Sequence, residues 1–175
     1  MNQSDLVDLL TGAVEGDRWA DLGAGEGNFT LALAELLGPG AHITAVDKDR
    51  QALRVLADKA ARLFPQTTVE VLAGDFTKPL ELRDLDGIVM ANSLHFVRDK
   101  GPVLQAVKQM LKPSGRLVLI EYGSDRGNPW VPHPMSFETW RRLADEAGLP
   151  GTVLLHTVPS RYLGSIYSAL SRRPA

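Results

Sequence analysis

Trp19-Ala20-Asp21-Leu22-Gly23-Ala24-Gly25-Glu26-Gly27-Asn28-Phe29 is the stretch that decides the fold. A short apolar strand runs into glycines at alternate positions, and a helical stripe of Phe29, Leu33, Leu36 and Leu37 starts directly after them. Glycine tolerates positive φ and lets backbone approach a ligand closely. Between a strand and a helix, such a turn delivers that ligand to the carboxyl end of the strand, near a helix N-terminus. The plainer reading is a tight turn that needs glycine only for its own geometry. The spacing is G-x-G-x-G, so the third glycine of the G-x-G-x-x-G dinucleotide fingerprint falls on Asn28. No Gly-Lys-Ser or Gly-Lys-Thr follows, which excludes a P-loop.

Outward from this turn, apolar runs at 43–46, 69–72, 88–91 and 117–120 join 19–22 as strands expected to be buried on both faces. Helical stripes lie between them. Leu53, Leu56, Ala60 and Phe64 form one, and Val103, Leu104, Val107 and Met110 another. Gly38-Pro39-Gly40 ends the helix that follows the glycine turn. Ser136 is placed to cap a helix carrying Trp140, Leu143, Ala144 and Ala147, which stops at Gly148. Residues 2–14, with Leu6, Leu9, Leu10 and Ala13, read as a leading helix. Alternating strands and helices mean stacked βαβ units, a parallel sheet and helices on both faces. The last two strands, 153–157 and 165–170, are too close for a parallel crossover and are expected to pair antiparallel. The expectation is an α/β, doubly wound, Rossmann-like single domain spanning 1–175.

The 175 residues suffice for one core without covalent staples. Nineteen Lys and Arg against 21 Asp and Glu leave no positive excess to drive sequence-independent nucleic-acid binding. Cysteine is absent, which removes disulfides, thiolate metal sites and cysteine nucleophiles together. The histidines lack metal spacing, so no metal is expected. The acidic start lacks the basic region of a secretory signal, and no uncharged apolar run is long enough for a membrane span. A cytoplasmic location is the expectation.

A second strand ends in Val46-Asp47, with Asp47 placed 20 residues beyond Gly27. A carboxylate at that tip can accept two hydrogen bonds from a ribose diol. Together with the turn, this strongly resembles the class I S-adenosylmethionine (SAM)-dependent methyltransferases. Residues 21–27 resemble their first motif, Asp47 their acidic second motif, and Gly74-Asp75-Phe76 their adenine-side loop. Residues 111–117 resemble the turn into their fifth strand, and the antiparallel C-terminal pair their reversed seventh strand. The likeness runs over about residues 15–172. It implies strand order 3-2-1-4-5-7-6 with strand 7 antiparallel, SAM as cofactor and S-adenosylhomocysteine as product. It also implies site roles. Gly23, Ala24 and Gly25 line the methionine portion and ribose, Gly27 helps bring backbone against the cofactor, and Asp21 sits under the methionine amino group, directly or through water. Asp47 binds the ribose hydroxyls, with Lys48 beside the adenine. Asp75 and Phe76 meet the adenine edge, and Asn92 lies near the transferring methyl. The bland readings are capping for Asp21 and Asp75 and a solvated strand end for Asp47.

Methyl transfer from a sulfonium needs a general base only where the acceptor must lose a proton. His95, in Asn92-Ser93-Leu94-His95-Phe96, is the candidate, and its alternative is a packed loop residue that closes the pocket. Residues 123–135, with Trp130 and His133, read as a lid or as a connector whose Trp packs on the core. Arg161 and Tyr162 fall in the last turn, where Arg161 faces an anionic substrate or solvent. An Asn- or Asp-Pro-Pro-aromatic run, the mark of base-amino methylation, is missing after the fourth strand. The segment most resembles the small-molecule branch, similar to ubiquinone and menaquinone biosynthesis methyltransferases. With few residues before the first strand, the acceptor pocket is open, shallow, or completed by a second subunit in a homodimer. Two other readings remain at this point: a non-catalytic SAM-binding module, and a nicotinamide-dependent oxidoreductase, against which Asn28 argues.

Overall fold

The computed structural model describes residues 2–175; Met1, first residue of the expected 1–175 domain, lies outside the described residues. Strands β1 (Arg18–Leu22), β2 (His42–Asp47), β3 (Thr68–Ala73), β4 (Leu85–Ala91), β5 (Leu111–Tyr122), β6 (Val153–Ser160) and β7 (Gly164–Arg172) form one sheet. Its order is β3-β2-β1-β4-β5-β7-β6, as expected. The first five strands are parallel, and β7 runs antiparallel to both β5 and β6.

Alternate residues of the central strands enter two different cores, which is why these strands read as continuous apolar runs. Trp19, Ile43, Val89, Val118 and Ile120 pack toward helices α1 (Gln3–Leu10) and α2 (Asn28–Leu37). Ala20, Val46, Ile88, Met90 and Leu119 pack toward α4 (Gly101–Met110) and α5 (Phe137–Glu146). Helix α3 (Arg50–Leu63) lays Leu53, Leu56 and Ala60 against Leu31 and Ala45. Caps set the helix starts. Asn2 and Asp5 form a capping box on α1, Asp49 Oδ1 accepts two α3 amides, and Ser136 caps α5 as its sequence implies.

Three expectations change. The leading helix ends at Leu10, not 14, because Gly12 at φ 82° turns the chain while Ala13 still packs inward. Strand β5 begins at Leu111, not 117: Leu111 pairs with Leu85, residues 112–115 bulge, and pairing resumes at Arg116 opposite Gly87. Strand β3 is not buried on both faces. It is the sheet edge, and the β3–β4 connection contains no helix, so Val71 and Leu72 stay partly exposed.

Candidate active site

The order β3-β2-β1-β4-β5 opens a crevice at the carboxyl ends of the strands, where the order reverses between β1 and β4. The glycine turn sits over it. Gly23 and Ala24 amides both donate to the Val46 carbonyl, at 2.8 and 3.0 Å, which ties the turn to β2. Asp47 continues the tie. Its Oδ2 accepts the Gly25 amide at 2.8 Å and its Oδ1 the Asp49 amide at 2.9 Å. Gly23 (φ 88°) and Gly27 (φ 89°) are required locally, since a Cβ would overlap Ser93 at the first and Leu56 at the second.

A cleft of about 430 Å³ lies beside the turn. Of the expected cofactor residues, Gly23, Asp47, Lys48, Phe76 and Asn92 line it. Ala24, Gly25 and Gly27 form the turn itself. Asp21 lies beneath the turn, and Asp75 stands next to Phe76. Residues that sequence reasoning missed also line the cleft, notably Ser93, Phe96 and Thr77. Ser93 donates to the Leu22 carbonyl at 2.8 Å, closing β4 onto β1. A small polar residue just past a strand tip was the available signal.

The polar groups around this cleft differ in how far the chain satisfies them. Asp21 is 1 % exposed; its Oδ2 accepts the Thr30 hydroxyl at 2.7 Å and its Oδ1 has no partner. Burial drives its pKa up to about 7, against the Thr30 hydrogen bond and with help from the Asp47 charge. Asn92 stands in the left-handed region at φ 51°, and its buried Oδ1 is also without a partner. Asp75 is the opposite case. Its Oδ1 accepts the Thr77 hydroxyl at 2.6 Å and amide at 2.9 Å, and its Oδ2 pairs with Lys48 at 3.0 Å. The Thr77 hydrogen bond, with Lys48 adding to it, holds this carboxyl down at about 2.

His95 is 3 % exposed, within the single 3₁₀ turn Leu94–Phe96. Its Nδ1 lies 2.9 and 3.0 Å from the two oxygens of Glu121, itself fully buried on β5. The Tyr122 amide donates to the same carboxylate at 2.8 Å. Lys100 is also nearby: burial pushes its ammonium pKa down and the Glu121 charge opposes this. The 123–135 segment is stitched to this cluster. The His133 amide donates to the His95 carbonyl at 3.0 Å, and Lys100 Nζ donates to the Val97 and His133 carbonyls at 2.8 and 3.0 Å. Val131 and Met135 anchor the segment in the core, whereas Trp130 is 77 % exposed rather than packed down. His95 and Glu121 are 26 positions apart, and no local pattern announces their pairing.

The residues present fit a nucleoside carrying an amino-acid tail. Two buried acceptor oxygens await donors, and Asp47, with about four lone-pair sites and two in use, retains capacity for a diol. Sheet order, reversed last strand and glycine cradle together define the class as a Rossmann-like fold with a nucleotide-type site at the switch point. The family follows from sequence. Residues 13–149 match the model of the methyltransferase domain family, and the chain belongs to that family of SAM-dependent enzymes. Among curated relatives, it is 30 % identical over 114 residues to the ubiquinone/menaquinone biosynthesis C-methyltransferase UbiE of Pseudomonas savastanoi, covering 65 % of this chain and 44 % of that protein. The UbiE of Ectopseudomonas mendocina is 30 % identical over 121 residues, 69 % of this chain and 47 % of that one. The chain thus spans about half the length of the curated relatives it matches. Among solved structures, the YcgJ protein of Bacillus subtilis superposes with a TM-score of 0.78 at 14 % identity, covering 99 % of this chain and 98 % of that one. A SAM-dependent methyltransferase from Aquifex aeolicus gives 0.71 at 21 %, covering 98 % of each chain. These two likenesses are of fold. Among the described residues, no helix is long and apolar enough to cross a membrane.

Proposed function

We propose that this chain transfers a methyl group from SAM to a small-molecule acceptor by in-line displacement. The observation that carries the reading is the pair of buried, unpartnered oxygens, Asp21 Oδ1 and Asn92 Oδ1, beneath and beside a glycine turn that borders the cleft. Bound in that cleft, SAM supplies a methyl group already activated by its sulfonium. The chain's own part is to bind and align. Asp21 answers the amino-acid ammonium, Asp47 takes the ribose hydroxyls, and Gly23 with Ala24 and Gly25 lets backbone lie against the tail. Lys48, Asp75 and Phe76 border the adenine end, and Asn92 stands nearest the reacting carbon.

On the acceptor side, Phe96 lines the cleft and is 63 % exposed. A row of rings leads away from it, with centroids 4.3 Å apart for Phe96–His95, 5.8 Å for His95–Tyr122 and 6.3 Å for Tyr122–Tyr162. Phe96, the one ring of this row that lines the cleft, favours a planar, apolar acceptor, in keeping with relatives named for quinone biosynthesis. Where the acceptor atom carries a proton, His95 removes it at Nε2, while Glu121 holds Nδ1. Incubation with SAM and a panel of phenols, quinols, amines and small acids tests the activity. S-adenosylhomocysteine accumulating with one acceptor class is expected; SAM binding without turnover would leave a binding module, and NAD binding instead would overturn the family site. For that acceptor, His95→Ala is expected to cut kcat by about 10²–10⁴-fold without changing S-adenosylhomocysteine affinity. Near wild-type turnover would assign His95 to packing.

A further inference from the structure

A carboxyl group that is fully buried, with one hydroxyl donor and one oxygen left over, has no charge partner inside the chain. The elements packed on Asp21 make this specific. Across the sheet it faces Ala45 of β2 and Val89 of β4, neither of which titrates. From α2 it receives the Thr30 hydroxyl and, more weakly, the Thr30 backbone amide. The glycine turn carries Glu26, which is exposed and paired with Lys59 at 3.3 Å. The tip of β2 carries Asp47, another negative charge. The neighbouring Lys48 is drawn away to Asp75. No cation among the described residues reaches Asp21 Oδ1, and the carboxylate form gains nothing from its surroundings except hydrogen bonding from Thr30.

We propose that Asp21 exchanges a proton for the ligand's ammonium group: it holds the proton while the cleft is empty and releases it to solvent when an amino-acid-bearing nucleoside binds. The exchange balances as Asp21–COOH plus R–NH₃⁺ going to the Asp21–COO⁻/R–NH₃⁺ pair plus one proton to the buffer. It rests on the reading of the cleft as a SAM site and adds its regulation: near neutrality, pH sets the affinity for nucleosides with the amino-acid tail and leaves those without it unaffected. Asp21 thereby determines specificity as well as affinity. The ordinary carboxylate range lies well below neutrality, and burial brings this group to about 7. Binding linked to one such ionisation strengthens about tenfold between pH 6 and pH 8 and then levels off.

Calorimetry on the whole chain tests this with two probes, S-adenosylhomocysteine and 5′-methylthioadenosine, which lacks the amino-acid carbons. Each is titrated at pH 6, 7 and 8 in buffers of different ionisation enthalpy, which reads the protons released. For S-adenosylhomocysteine, close to one proton is expected at pH 6, about half at pH 7 and almost none at pH 8, with the tenfold gain in affinity. For 5′-methylthioadenosine no such release and a flat affinity are expected. In Asp21→Asn the release disappears for both. In Thr30→Val, which removes the stronger of the two Thr30 bonds favouring the carboxylate, the release persists to higher pH. Equal release with both probes, or an unchanged pattern in Asp21→Asn, overturns the proposal while leaving the cofactor site standing. Failure of both probes to bind the wild type overturns the cofactor site and this proposal with it.

Discussion

Asp21 and Glu121 are both buried carboxylates at the carboxyl edge of the sheet, one near the tip of β1 and the other near the tip of β5. Their surroundings are opposite. Glu121 holds His95 Nδ1 between its oxygens, accepts the Tyr122 amide and has Lys100 nearby. Asp21 has one hydroxyl, one empty oxygen and a second negative charge in reach. A buried charge is costly unless paired and hydrogen-bonded. The chain therefore completes Glu121 from within, and Glu121 belongs to the scaffold that ties β5 to the 92–100 segment. Asp21 keeps an unpartnered oxygen, the observation on which the proposed cofactor site rests, and its charged form is a burden on the fold.

The largest expected effect sits on the completed side. Glu121→Ala leaves His95 buried without its partner and should cost about 3 kcal/mol. That corresponds to a fall in Tm of about 6–12 °C for a chain of this size. Unchanged thermal unfolding would remove Glu121 from the scaffold. Asp21→Asn should do the reverse, raising Tm by about 4–8 °C near pH 8, as about 2 kcal/mol would. The sign follows from a folded pKa of about 7 against 3.8. A carboxyl raised on folding favours the folded state at acid pH, and that contribution drains away as pH rises from about 4 to about 7. The gain in Asp21→Asn should thus vanish at pH 4. A loss of stability at every pH would break the comparison.

Asp47→Ala is expected to weaken S-adenosylhomocysteine binding by at least ~1 kcal/mol, since both a diol site and the ties to Gly25 and Asp49 go with it. Unchanged affinity in calorimetry would contradict the ribose assignment. The smallest effect belongs to Asp75. Its carboxyl is held at about 2, so its contribution is fully present above 3.8 and is lost only as pH falls through about 2. Asp75→Asn should therefore change affinity by the same factor at pH 6 and pH 8, below about fivefold. A pH-dependent factor would mean that Asp75, too, lacks a full set of partners within the chain.

Much of this was legible in the chain itself. Strand order, the reversed β7, the Ser136 cap and the positions of Asp47 and Asn92 at strand tips follow from periodicity, turn residues and the family likeness, all patterns that act over short stretches. Strand β3 reads as buried on both faces in the sequence because an apolar run carries no mark of whether a helix will cover it. Here the connection to β4 contains Pro79 and makes none, so Val71 and Leu72 face water. Strand β5 reads short in the sequence because Pro113 and Gly115 signal a turn, whereas the bulge opposite Asp86 absorbs both and Lys112 pairs with Asp86 at 2.7 Å. One reading of the sequence places Trp130 on the core, but Asn128 turns the loop so that Val131 takes that place.

By itself, the amino-acid sequence determined which residue types stand at the carboxyl edge, because glycine spacing and strand-tip acids are set by local backbone geometry. Only the tertiary structure decided what state those residues are in. His95 meets Glu121 through the pairing of β4 with β5, and Asp21 is sealed under a turn pinned to β2. Whether a carboxylate is paired, hydrogen-bonded or orphaned depends on groups that arrive from distant parts of the chain. That is why two acids of similar chemistry end as a structural pin and a buried carboxyl with an unpartnered oxygen.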